Sequence, residues 1–311
     1  MSNILIIGNG FDLSLRLNTS YKHFLESKEY NEIKTSDGLF QHLTNAKSVK
    51  NWIDVEVELK NYSRQLVESQ SGHHEAFKPH YTKASNIQFK TQFRSLVSAL
   101  RKYLTRIIKE SSIQCSSEIM SLISIFQYLD SFEVINFNYT NTFYNICSEL
   151  KISYSKVNQI NIHNTLSEDI IFGVEDINSK IPEDHFFIQK STNESYGQNT
   201  SIINKFYENY SNFFFFGYSL GETDFNYFYN LFLKISKSQV SKAKSIIIFY
   251  YDEDPNDPNG QEAKDSINQN LTKMLKNGLS DFKLNCNFEL VGTSKLKEDY
   301  TRFHWYLDNT N

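Results

Sequence analysis

The amino-acid sequence predicts an α/β fold, doubly wound around a mostly parallel sheet, on three observations. Short runs rich in β-branched and aromatic residues occur at 3–7, 133–137, 159–162, 170–173, 212–216, 244–251 and 288–292. Most are continuously apolar rather than alternating, as in strands buried on both faces. Helix-like stretches lie between them at 142–151, 201–210, 224–236 and 261–275, and strand alternating with helix is the pattern of crossover units. Four of the runs close on a glycine, Gly8, Gly173, Gly217 and Gly292, which puts turns at the strand ends where open α/β sheets take ligands.

Along the chain, the run Asn3-Ile4-Leu5-Ile6-Ile7 is the first strand and Gly8-Asn9-Gly10 its turn. Residues 22 to 130 then break the rhythm. Phe93, Leu96, Val97, Leu100, Leu104, Ile107 and Ile108 recur at helical spacing with almost no strand signal. A helical insertion is expected over 26–129, with residues 1–25 and 130–311 forming the nucleotide-binding core. Two stretches, 69–85 and 176–200, read as long loops. Residues 52–59 alternate apolar with acidic residues and read as a solvated strand face, whereas His73, His74 and His80 read as a solvated loop rather than a metal site. From 224 to 236 the apolar Phe225, Phe228, Leu231, Phe232 and Ile235 mark an amphipathic helix opened by Asp224.

Composition narrows the function classes. With 32 Lys and Arg against 36 Asp and Glu over 311 residues the net charge is −4, so there is no global nucleic-acid signature. No apolar run approaches the ~20 residues of a membrane span, and the N-terminus lacks a basic, apolar export signal. A cytoplasmic location with no membrane association is expected. Cys115, Cys147 and Cys286 are scattered without a Cys-x-x-Cys pair, which fits core thiols and not a thiolate zinc site.

The chemistry-bearing residues cluster at the strand ends. In Gly8-Asn9-Gly10-Phe11-Asp12 paired glycines permit close approach of backbone N–H groups to a pyrophosphate; a tight turn with Asp12 as a helix N-cap explains the same residues equally well. In Asn136-Phe137-Asn138-Tyr139-Thr140 the amide of Asn138 is suited to hold a water or a ribose hydroxyl, or to cap the following helix. His163, after the 159–162 strand, is a histidine, the residue type whose unperturbed pKa suits general-base work near neutrality, although a lone histidine is more often structural. Gly217-Tyr218-Ser219-Leu220-Gly221 forms another strand-end turn, with Gly217 and Ser219 placed to meet a phosphate or ribose and Asp224 to cap the next helix. It also matches the Gly-x-Ser-x-Gly hydrolase elbow, giving a rival in which Ser219, Asp252 and His304 form a triad.

Together these segments, with Thr19-Ser20-Tyr21-x-x-Phe24, Trp52-x-Asp54-x-Glu56, Ile170-Ile171-Phe172-Gly173 and Gly221-Glu222-x-Asp224, resemble the AbiH family of bacteriophage abortive-infection proteins. That family is distantly similar to the sirtuin-like, Rossmann-like NAD-binding fold. The resemblance implies that Asn138 and His163 are a catalytic pair, and that Gly8, Asn9, Gly10, Phe11, Gly217, Tyr218, Ser219 and Asp224 surround the nucleotide. His163 is followed by Asn164 where the family pattern has glycine, and Asn is the non-glycine residue best suited to a left-handed turn. The expected reaction is hydrolysis of the nicotinamide–ribose bond, with NAD or a related nucleotide as substrate and no cofactor required. Asp12 is the carboxylate expected to stabilise the oxocarbenium-like ribose. Control is expected through a homo-oligomer or a lid formed by the insertion, released by a phage-derived trigger. A nucleotide-sensing module without turnover is the other alternative.

Overall fold

In this computed structural model the structure describes residues 3–49, 54–71, 83–127, 129, 131–175, 181–203, 205–221, 224–238, 243–254, 256–257 and 259–303. The chain divides into two compact units, one comprising 1–17, 112–165 and 198–311, the other 18–111 and 166–197.

The first unit is built on six parallel strands: β1 (Asn3–Ile7), β2 (Phe132–Asn136), β3 (Val157–Asn161), β4 (Asn212–Phe216), β5 (Ser245–Tyr250) and β6 (Asn287–Gly292), in the spatial order β3-β2-β1-β4-β5-β6. Strands β1, β4 and β5 are buried along their whole length, as NILII, NFFFF and SIIIFY, and β2 is buried at all but Glu133. That explains why the sequence shows no alternation there: helices cover both faces and each side chain enters a core. The edge strands differ. β3 carries VNQIN and β6 NFELVG, and both are mostly half-buried, so polar residues blunt the open hydrogen-bonding rows. Helices Asn9–Ser14, Ser117–Phe126, Thr142–Glu149, Phe225–Ser236, Gln261–Leu275, Leu279–Asn285 and Thr293–Glu298 connect or flank the strands. The order reverses between β1 and β4, and such a switch point opens a crevice at the carboxyl ends of the strands.

The second unit is helical over Tyr21–Glu26, Lys28–Ile33, Gly38–Val49, Val55–Ser71 and Lys83–Glu110. Ser20 and Ser27 cap the first two of these by accepting from the N–H groups of His23 and Tyr30, as Ser N-caps do. The expected solvated strand over 52–59 is not present. From Val55 the chain is helical, and its acidic residues face inward: Glu56 and Glu58 are buried. Glu56 meets the buried Lys190 ammonium at 3.2 Å and accepts the Gly173 N–H at 3.2 Å, while Glu58 meets His42 at 2.9 Å. A buried carboxylate with such partners mimics an alternating strand on paper. Asp54 accepts the N–H groups of Glu56 and Val57 and so caps this helix; Trp52 and Ile53 lie outside the described residues.

Other expectations also change. The run 170–173 does not join the sheet; its neighbour Val174 makes one isolated bridge to Gln189. The expected loop at 176–200 contains helical turns at Glu183–Ile188 and Lys190–Thr192 and the start of helix Tyr196–Ile203. The expected helix over 201–210 is instead divided between Tyr196–Ile203 and Phe206–Asn209. Of the loop expected at 69–85, its two ends are helical, and 72–82, with His73, His74 and His80, lie outside the described residues. Cys147 and Cys286 are buried and Cys115 half-buried, and burial pushes the Cys147 and Cys286 thiols up to about 12.

Candidate active site at the strand ends

The turn after β1 is interlocked with the turn after β4. Gly8 N–H donates to the Phe216 carbonyl at 3.1 Å and Gly10 N–H to the Gly217 carbonyl at 2.9 Å. A Cβ on Gly10 would stand 2.5 Å from the Gly217 Cα; one on Gly217, where φ is +62°, would stand 2.4 Å from the Phe11 nitrogen. Only hydrogen atoms fit between these backbones, which is the physical reason for glycine at both places. The N–H groups of Gly8 and Gly10 are therefore already used within the protein. Phe11 is wholly buried, its ring against Phe143 and Phe216.

Asp12 is not the helix N-cap, a position held by Gly8. It lies inside the short helix Asn9–Ser14, 1 % exposed. Thr142 Oγ1 donates to its Oδ1 at 2.5 Å and Thr140 Oγ1 to its Oδ2 at 2.7 Å. Burial raises its pKa to about 6, against the opposing pull of the two threonine hydroxyls. Asp12 thus ties the glycine turn to the loop after β2.

That loop carries Asn138. Its backbone N–H donates to Asn136 Oδ1 at 2.9 Å, and its Nδ2 donates to the Gly8 carbonyl at 3.0 Å. Because a carbonyl only accepts, the amide orientation is fixed. Oδ1 of Asn138 consequently points away from Gly8, and it has no hydrogen-bond partner among the described residues.

His163 follows β3 and is 4 % exposed. Its Nδ1 lies 3.2 Å from the Phe137 carbonyl, so Nδ1 carries the hydrogen. Nε2 lies 3.4 Å from Asp224 Oδ1, and the Asp224 side chain is 18 % exposed. Asp224 occupies the expected N-cap position of helix Phe225–Ser236, yet its side chain makes no cap hydrogen bond and faces the imidazole instead. With Nδ1 donating to Phe137, Nε2 is the ring atom that faces Asp224. Rings of Phe137, Tyr139 and Tyr227 surround the imidazole at centroid distances of 5.5, 5.9 and 5.9 Å, and Tyr218 packs on Phe137 at 4.5 Å.

Asn164 adopts φ +60°, the left-handed conformation expected of it. A residue that the sequence does not single out holds this corner: Asn199 Nδ2 reaches the Ile162 carbonyl at 2.9 Å and Asn164 Oδ1 at 3.3 Å. A separation of 35 residues leaves no local signal for that contact. Asn136 is also missed; its Nδ2 donates to the Thr140 carbonyl at 2.8 Å and to Asn161 Oδ1 at 2.9 Å, shaping the loop that presents Asn138.

The serine-hydrolase rival gains no geometry. Ser219 is exposed and the helix begins only at Phe225, whereas a nucleophile elbow runs from strand through serine directly into helix. The positive φ values fall on Gly217 and Leu220. Asp252 is engaged by Thr293 Oγ1 at 3.2 Å, Ser294 N–H at 2.9 Å and Ser294 Oγ at 2.5 Å. His304 lies outside the described residues.

Sheet order and strand-end groups define a doubly wound α/β protein whose polar site lies at the carboxyl ends of β2, β3 and β4. The chain belongs to the AbiH family, described as bacteriophage abortive infection AbiH, whose family model matches residues 4–249. Its role is in abortive infection. No curated protein and no solved structure matches it. Among the described residues, no helix is long and apolar enough to cross a membrane and no three or more His, Cys, Asp or Glu side chains are grouped to hold a metal ion.

Proposed function

We propose that the protein acts in abortive infection by hydrolysing NAD at the bond between nicotinamide and ribose. What supports this reading is that Asn138 is held by the Gly8 carbonyl while His163, facing Asp224, is held by the carbonyl of Phe137, the residue next to Asn138. An oriented acceptor and a proton-accepting pair are the groups that activation of water at a ribose carbon requires.

The C1′–N bond breaks with its electron pair passing to the pyridinium nitrogen, so nicotinamide leaves neutral and needs no general acid. Water forms the new C1′–O bond. Asn138 Oδ1 accepts from and orients that water or the neighbouring ribose hydroxyl. The His163–Asp224 pair receives the water proton, with the Asp224 carboxylate also stabilising positive charge at the ribose carbon. Asp12 acts at one remove, since both its oxygens are occupied by threonine hydroxyls and it is 1 % exposed. The likeness to the sirtuin-like fold, the homo-oligomer and the phage-derived trigger are parts of the same proposal.

The test is nicotinamide release from NAD by the purified protein beside folded Asn138→Ala and His163→Ala. Each variant is expected to lose about 10²–10⁴-fold, the usual worth of a positioned acid–base group. Saturable NAD binding without release would support the nucleotide-sensing alternative.

A further inference from the structure

The glycine turn has a second side. Gly10 also borders a cleft of about 720 Å³ at the strand ends, shared with Arg16, Glu118, Tyr251, Glu253 and Lys297. This volume lies within the ~300–1,000 Å³ of small-ligand sites. We infer that this cleft is a binding site for a nucleoside monophosphate group, with the base on Tyr251, the sugar hydroxyls toward Glu253 and Glu118, and the phosphate on Arg16.

Arg16 is the most informative residue. The helix Asn9–Ser14 ends with Leu17 N–H on the Asp12 carbonyl at 3.1 Å and Arg16 N–H on the Leu13 carbonyl at 2.9 Å. That is the paired closure whose left-handed position is ordinarily glycine. Here an arginine holds it at φ +60°, a conformation disfavoured for any residue that carries a Cβ. Backbone strain kept at the rim of a cleft points to a role for the side chain that imposes it. Among the described residues no carboxylate pairs with this guanidinium, a fork suited to phosphate oxygens.

The remaining groups select the rest of the ligand. Lys297 lies 2.6 Å from Glu253 and 3.7 Å from Glu118, so its charge is spent within the protein. The four charged side chains cancel overall, which disfavours a bare anion and suits a ligand with an anionic end and a neutral, hydroxyl-bearing middle. Carboxylates accept from sugar hydroxyls. Tyr251 is 54 % exposed, and a tyrosine ring presented to solvent beside a cleft is a stacking platform for a base. The site stands on this chemistry alone; only its connection to catalysis rests on the proposed NAD cleavage.

Calorimetric titration of the full chain with AMP, adenosine and inorganic phosphate tests the inference. AMP is expected to bind saturably and inorganic phosphate not to bind. Arg16→Gly should weaken AMP at least about tenfold while melting no lower than the parent, because glycine relieves the left-handed turn. Tyr251→Ala should weaken AMP by about tenfold, within the range for loss of one base-stacking contact. Absence of saturable AMP binding at millimolar concentration, or AMP affinity unchanged in both variants, overturns the site. Competition by AMP against NAD cleavage would identify the ligand as the distal half of the substrate, and binding without competition would identify a free nucleotide. AMP binding in a protein that never cleaves NAD would sink the catalytic proposal and leave this one standing; NAD cleavage without AMP binding would do the reverse.

Discussion

The turn after β1 and the turn after β3 both carry residues that the sequence marks for chemistry, but the structure uses them differently. In the first, glycines and Asp12 are consumed by the protein itself. Gly10 and Gly217 let two backbones touch, and two threonines occupy Asp12. In the second, His163 is buried yet oriented toward a partly exposed carboxylate. A glycine-rich turn can thus be demanded by packing, while the groups proposed for chemistry stand on neighbouring loops, one of which the turn holds through Asn138.

The largest expected effect breaks the packing side of this contrast. Gly217→Ala adds a Cβ 2.4 Å from backbone and strains a φ of +62°. Overpacking of ~1–3 kcal/mol plus ~1–2 kcal/mol of left-handed strain predicts a loss of about 3–4 kcal/mol, read by denaturant melting.

Next comes the buried carboxylate. A folded pKa of about 6 against an ordinary 3.8 means that the folded state binds more protons than the unfolded one between those values. Stability therefore falls as pH rises from about 4 to about 6. Asp12→Asn removes that dependence. The variant should gain on the parent across this window by up to roughly 3 kcal/mol, from 1.36 kcal/mol per pKa unit, and a difference that is flat with pH would reject the assignment.

A smaller effect sharpens the chemical side. Asp224→Asn keeps a polar group before helix Phe225–Ser236 but removes the charge opposite Nε2. NAD cleavage is expected to fall about 10–100-fold, a share of the 10²–10⁴ typical of general acid–base groups, with melting nearly unchanged because no cap bond is lost. Smallest of all is Asn164→Gly, in which relief of the left-handed turn is offset by loss of the Asn199 contact, so melting is expected to shift by no more than the equivalent of about 1 kcal/mol.

Much of this was legible in the chain. The inner strands follow from continuous apolar runs because parallel strands are covered on both faces, and the edges β3 and β6 show as shorter apolar segments broken by polar residues. Asn138 and His163 are legible as polar residues at strand ends, and the structure adds their anchors, the Gly8 and Phe137 carbonyls. Residues 170–173 show the limit: Ile-Ile-Phe-Gly is apolar enough for a strand, yet its burial comes from helices. Glu56 and Glu58 mislead for a related reason, since Lys190 and His42, which make their burial tolerable, lie far away in sequence. Asp224 reads as a cap by position alone, and nothing local reveals that its partner is an imidazole 61 residues earlier.

The most direct measurement is the rate of NAD cleavage by folded His163→Ala beside folded Asp12→Asn. The account predicts a fall of at least about 100-fold in the first and a rate within about tenfold of the parent in the second. A silent His163→Ala substitution, or an abolished rate in a well-folded Asp12→Asn, would place the chemistry at the glycine turn and contradict it.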